Sequence, residues 1–163
     1  MAAIQDAARL PDECTITITR IFDAPRELVF KMFTDPKHLA EFWGPNGFTS
    51  TVREMDPRPG GTFRLEMRGP DGATYPCESL FREVIAPERI VYFGGPDCGH
   101  PCGGGLPPRA LVTITFAEHD GKTTLTIDTR FESAADRDAA VKTGFNAGWA
   151  SSLDRLADLL EKL

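Results

Sequence analysis

No run of lysine or arginine occurs in this 163-residue chain, and acidic residues outnumber basic ones by 24 to 18. The formal charge of -6 gives no attraction to phosphate backbones or anionic lipid, so neither nucleic acid nor membrane is expected as a partner. Nor does any stretch approach the ~20 consecutive apolar residues that a spanning helix needs. The opening MAAIQDAARLPDE has no basic n-region and no apolar h-region, which predicts the absence of a secretory signal and a cytoplasmic location. Cysteine is sparse. Cys14, Cys77, Cys98 and Cys102, without an export signal, are read as reduced thiols rather than a disulfide framework. The glycine-rich loop is not followed at P-loop spacing by Gly-Lys-Ser/Thr, which excludes a P-loop, and the sequence supports no Ser-His-Asp or Cys-His arrangement.

What is present describes an ordinary globular domain, with 41% hydrophobic and 26% charged residues. At this length a folded chain buries roughly 70% of the surface its unfolded form exposes, enough for a core without staples. Residues 1–14 read as a flexible polar tail and residues 15–163 as one domain. Thr15-Ile16-Thr17-Ile18-Thr19 alternates like a half-buried strand, and the alternation slips at Arg20-Ile21-Phe22. Asp23-Ala24-Pro25 and Asp35-Pro36 each start a short helix, the second carrying Leu39, Phe42 and Trp43 before Gly44-Pro45 ends it. From Thr49 to Phe131, strand-like runs alternate with Gly, Pro and Asp turns in an antiparallel meander, which with the first strand gives about seven in all. Ser133 followed by Asp136 then opens a helical stretch that is expected to run nearly to Leu163.

This order predicts an α+β fold in which the terminal helix covers the apolar face of the sheet. A helix is only about 10 to 12 Å across, too narrow to fill the concave side of a strongly twisted sheet. An apolar pocket between the two layers is therefore expected, lined by Phe and Trp.

Several motifs, in order and spacing, resemble the activator of heat-shock-protein ATPase homolog-like family of the SRPBCC (START-like, helix-grip) superfamily. They are Asp23-Ala24-Pro25, Thr34-Asp35-Pro36, Phe42-Trp43-Gly44-Pro45 and Asp56-Pro57-Arg58-Pro59-Gly60-Gly61, then Gly69-Pro70-Asp71-Gly72 and the run Glu83 to Ile90. Gly148-Trp149 and Leu153-Asp154-Arg155-Leu156 complete the set. The resemblance spans about Thr15 to Leu160. It implies a helix-grip (START/Bet v-like) fold, a curved antiparallel sheet of six or seven strands around a long C-terminal helix, with a central cavity and usually no assigned reaction. The eukaryotic co-chaperones behind the family name carry an additional N-terminal domain for which this chain is expected to have no room, so chaperone interaction is the lesser expectation. The loop from Gly94 to Gly105 departs from the family pattern.

Within that loop, Cys98-x-His100-x-Cys102 supplies two thiols and an imidazole at a spacing zinc sites use. A fourth ligand is missing nearby, with Cys77 or His119 as the only suggested sources, so no metal and no cofactor are expected. His38, beside Lys37 and Glu41, reads as a solvated surface residue. Glu66, Glu78, Glu83 and Asp128 lie on strands, where a carboxylate turned inward would have its pKa raised by desolvation; the simpler expectation is that they face water. Trp43, Phe48, Phe63, Phe81, Phe145 and Trp149 are each ordinary core aromatics taken singly. Together with Gly148, they are the residues the implied cavity assigns to a ligand.

On the terminal helix, Val141, Phe145, Leu153, Leu156 and Leu160 share one apolar arc, beside a stripe of Gly144, Gly148 and Ser152. Each glycine in a helix interior costs about 1 kcal/mol relative to alanine. The stripe is therefore expected to admit a close strand or to leave volume beside Trp149, with a kink or helix start near Gly144 as the other expectation. The functional expectation is a small-molecule binder for an apolar or amphipathic ligand. Its rivals are a cavity enzyme doing acid/base chemistry, such as a cyclase, dehydratase or hydrolase, and a chaperone-linked or homodimeric interaction module.

Overall fold

The computed structural model describes residues 13–95 and 109–163. Among them, seven strands form one antiparallel curved sheet: β1 (Thr15–Phe22), β2 (Thr49–Met55), β3 (Thr62–Arg68), β4 (Thr74–Ile85), β5 (Arg89–Gly94), β6 (Leu111–His119) and β7 (Lys122–Arg130). Their order is β1-β7-β6-β5-β4-β3-β2, so consecutive strands from β2 to β7 are antiparallel neighbours and β1 pairs with the last strand, β7. Register slips at Val52/Glu54 and Phe81/Glu83 insert irregularities of the kind that bend a strand and increase its twist. Both help the sheet curl toward the helices.

Two short helices, α1 (Arg26–Thr34) and α2 (Pro36–Phe42), follow β1 as expected. Asp35 caps α2 by accepting from the Lys37 N–H at 3.0 Å, with Pro36 in the first turn. Pro25 offers α1 no such side chain. The Glu118 carboxylate of β6 instead accepts from the Arg26 N–H at 3.1 Å, a cap supplied from 92 residues away. Thr123 of β7 reaches the same junction, donating to the Ala24 carbonyl at 2.7 Å.

The alternation of β1 does not slip at Arg20. Ile16 and Phe22 are buried with Arg20 between them at an inward position, while Ile21 faces out and is 65% exposed. Arg20 tolerates that position because its guanidinium pairs with Asp154 and lies 6.0 Å from the centre of the Phe22 ring.

The expected single terminal helix is two: α3 (Ala134–Lys142) and α4 (Phe145–Glu161). Between them Gly144 adopts φ +95°, a left-handed conformation that ends one helix and begins the next. Gly144 is therefore a junction residue rather than part of a helix-interior stripe, and Val141, 44% exposed on α3, does not belong to the apolar arc. Ser133 does cap α3, accepting from the Asp136 N–H at 3.1 Å. The arc that packs on the sheet is Phe145, Trp149, Leu153 and Leu156 of α4, all buried. At roughly 1.5–3 kcal/mol for each fully buried large apolar side chain, this face is what anchors α4.

Candidate functional site

Inward-facing positions of adjacent strands come into line through the sheet register. Phe63 of β3 pairs with Ser79 of β4, and Ser79 with Gly94 of β5. The Gly94 N–H donates to the Ala110 carbonyl at 2.9 Å, which brings Ala110 alongside. Leu111 pairs with Arg130, so continuing that register places Phe131 beside Ala110. The line thus runs Phe63, Ser79, Gly94, Ala110, Phe131: two aromatic ends with three small residues between them, all buried.

Aromatic rings span this floor from above. Phe145, at the start of α4, meets Phe131 edge-on with centroids 5.5 Å apart. One turn later Trp149 meets Trp43 at 5.2 Å, and Trp43 meets Phe63 at 5.6 Å, both edge-on. Phe63 in turn stacks on Phe81 at 5.5 Å and touches Tyr92 at 5.9 Å. The result is an arch, Phe131–Phe145–Trp149–Trp43–Phe63, over a base of Ser79, Gly94 and Ala110. The five rings of the arch are at most 7% exposed, so the interior is closed to solvent at these residues.

Five of the seven residues expected at a ligand, Trp43, Phe63, Phe81, Phe145 and Trp149, are therefore brought together. Gly148 is half-buried on α4, one residue before Trp149. Phe48 is half-buried and packs against the same core, its ring 6.2 Å from that of Tyr75.

The sequence reading passed over the polar members. Ser79, Thr123, Thr129 and Ser152 are the buried polar residues among those described. Thr123 is used at the α1 junction. Ser152 of α4 is used at the α2 junction, where its hydroxyl accepts from the Gly44 N–H at 2.9 Å and donates to the Gly44 carbonyl at 3.2 Å. Arg155, one turn along, donates to the carbonyls of Glu41 and Gly44, each at 3.1 Å, and of Trp43 at 3.4 Å. Burial there lowers its pKa from the ordinary guanidinium value. Ser50 adds a bond to the Trp43 carbonyl at 2.7 Å. Trp43 is thus held at its place in the arch by its backbone. Ser79 Oγ, Thr129 Oγ1 and Trp149 Nε1, by contrast, are buried with no hydrogen-bond partner. Tyr92 is also buried, which pushes its phenol well above the ordinary value. Signals for Ser79 and Thr129 were in the sequence: each occupies an inward position of an alternating run, Cys77-x-Ser79-x-Phe81 and Ile127-x-Thr129-x-Phe131.

The carboxylates suggested for acid/base chemistry lie elsewhere. Glu66 pairs with Arg53 at 3.1 Å, Glu83 pairs with Arg89, Asp128 accepts from the Thr17 hydroxyl at 2.6 Å, and Glu78 is exposed. His38 is half-buried rather than fully solvated, with Nδ1 4.0 Å from the Glu41 carboxylate. Cys98, His100 and Cys102 fall outside the described residues. Cys77 is buried on β4, and His119 is exposed at the β6–β7 turn. Among the described residues no cluster of three or more His, Cys, Asp or Glu could hold a metal ion, and no helix is long and apolar enough to cross a membrane. The large exposed apolar residues, Ile21, Leu80, Ile85, Val141 and Leu163, are dispersed over the elements.

A model of the family described as "Activator of Hsp90 ATPase homolog 1-like protein" matches residues 23–161, from the first helix start to the end of α4. The chain belongs to this family. A member of the same fold, protein Ms6760 of Mycobacterium smegmatis, is 30% identical over 93% of this chain and 94% of its own, with a TM-score of 0.81. Protein CV1439 of Chromobacterium violaceum is 31% identical over 91% and 97%, with a TM-score of 0.75. A protein of Arthrobacter aurescens, 22% identical over 93% and 88%, shares the fold with a TM-score of 0.82. No curated protein matches the chain. The family match confirms the helix-grip fold of the SRPBCC superfamily that the motifs implied.

Proposed function

We propose that this family member binds a small apolar or amphipathic molecule between the sheet and α4, with Trp43, Phe63, Phe81, Phe145, Gly148 and Trp149 around it. The observation that supports this is the arch itself, in which large rings on both sides bracket a floor of Ser79, Gly94 and Ala110. A sheet that only needed a filled core would place branched or aromatic residues in the middle of the floor, where packing stabilises most. Small residues there leave the rings to define the shape.

Because the interior is closed, a ligand enters by displacing a covering element. α3 is the element that costs least to move, since none of its nine residues is buried and it joins α4 through left-handed Gly144. Native mass spectrometry of protein from its own host tests the reading through a co-purified molecule. Gly148→Leu tests the site: it should abolish binding of an apolar reporter dye by a protein that remains folded. Unchanged dye affinity in a stable Gly148→Leu variant would remove Gly148 from the site.

A further inference from the structure

Four buried polar residues face the interior or its margin, and the fold uses two of them. Thr123 and Ser152 pin the ends of α1 and α2. Ser79 and Thr129 pin nothing, and the Trp149 indole N–H joins them as a buried group without a partner. An unpaired buried polar group carries its full desolvation penalty, so three in one interior call for a physical reason.

Their chemistry limits what can satisfy them. An indole N–H only donates, and a hydroxyl donates or accepts. Ser79 stands next to Phe63 in the sheet register, and Phe63 is linked through Trp43 to Trp149 by edge-on ring contacts of 5.6 and 5.2 Å. Trp149 therefore stands at the crown of the arch, one ring from the Phe63 end beside which Ser79 lies in the floor. The buried residues described include no Asp, Glu, His, Lys or Arg. A charged ligand group would find no counter-ion among the described buried residues, and an unpaired buried charge costs far more than a neutral polar group.

We propose that the ligand is a neutral molecule presenting a hydrogen-bond acceptor, a carbonyl or ether oxygen, to the Trp149 indole N–H and the Ser79 hydroxyl, with its apolar body beneath the ring arch. This rests on the reading of the interior as a ligand site. The ligand supplies what the empty protein leaves unpaired, so discrimination is for neutral over anionic molecules and for acceptor-bearing over purely hydrocarbon ones.

Three probes of one shape separate the possibilities: 6-propionyl-2-dimethylaminonaphthalene, a neutral ketone; 6-propyl-2-dimethylaminonaphthalene, which lacks the carbonyl; and 6-dimethylamino-2-naphthoate, an anion. Fluorescence titration should show the ketone bound about tenfold tighter than the propyl compound, the size of one hydrogen bond, and the naphthoate weakest. Ser79→Ala should weaken the ketone by about tenfold and leave the propyl compound unchanged, and Trp149→Phe, which also alters the apolar wall, should weaken the ketone by about tenfold more than it weakens the propyl compound. Denaturant unfolding should find Ser79→Ala at least as stable as the parent, because it removes an unpaired polar atom at almost constant volume, whereas Trp149→Phe also gives up buried ring volume and should be less stable. Equal binding of all three probes, or ketone affinity indifferent to both substitutions, overturns the acceptor proposal and leaves the pocket standing. Failure of all three to bind overturns the pocket reading along with it.

Discussion

Ser152 grips both backbone polar groups of Gly44, accepting from its N–H and donating to its carbonyl. The two residues lie 108 positions apart, and Arg155 reinforces the join by donating to three carbonyls around the same turn. A helix has unsatisfied carbonyls at its C-terminus, and here another helix satisfies them.

Replacing Ser152 with Ala should therefore leave the buried Gly44 N–H unpaired and lower stability by about 1–3 kcal/mol. Urea unfolding measures the loss. Arg155→Ala should lower stability as well, and Arg155→Lys should recover only part of it, because an ammonium on a single stem cannot span three carbonyls as a planar fork does. Full recovery by lysine would mean that charge alone matters at this position.

Gly60 and Gly61 should respond differently to alanine. A Cβ on Gly61 would lie 1.9 Å from the Asp56 carbonyl oxygen, a contact no side chain can make without moving backbone. At Gly60 the same atom meets nothing within 4 Å, and only the left-handed φ of +85° opposes it. Gly60→Ala should cost about 1–2 kcal/mol. Gly61→Ala should cost more, read as a lower unfolding midpoint or a loss of soluble folded protein. Equal midpoints would contradict the steric account.

Both glycines belong to a motif visible in the sequence, and the division between legible and hidden features follows from distance along the chain. The strands from Thr49 to Phe131 were readable because alternation and turn residues act over a few positions. The break at Gly144 was harder to place: a glycine within helical periodicity reads equally as interior or end, and only the φ of +95° decides it. The Glu118 cap of Arg26 and the Ser152 clamp join residues about a hundred positions apart, and no local pattern encodes such a pairing. The aromatic residues, Phe48 among them, were assigned to a ligand through composition and family likeness, and their mutual contacts depend on pairings far apart in the chain. Ser79 and Thr129 were overlooked because a small polar residue in an alternating run is ordinary strand chemistry until its burial is known.

Alkaline stability should carry the mark of Tyr92. Burial raises its phenol well above 10.0 in the folded chain, so above pH 10 the unfolded form releases a proton that the folded form retains. Stability is then undiminished by this group below pH 10 and falls as pH rises beyond it, by about 1.4 kcal/mol per unit until the folded phenol itself ionises. Denaturant unfolding at a series of pH values should show this slope, reduced in Tyr92→Phe. An unchanged slope in that variant would assign the loss to other groups.

Amide hydrogen exchange should separate α3 from α4. With no buried residue among its nine, α3 should exchange through local opening well below the global unfolding free energy, whereas the amides of α4 around Trp149 and Leu153 should approach the global value. Matching protection in both helices would show that α3 opens only with the whole domain.

The chain has two tryptophans, Trp43 and Trp149, and their rings touch. All of its indole emission therefore originates at one spot, where the end of α2 meets α4, and no indole lies on the edge strand β1 or on β7 beside it. The crossed transition dipoles of the pair should also produce an exciton couplet in circular dichroism, which vanishes when either ring is replaced by phenylalanine. Indole-emission unfolding curves of this protein consequently follow the parting of two rings, and a strand that frays away from them leaves those curves unchanged.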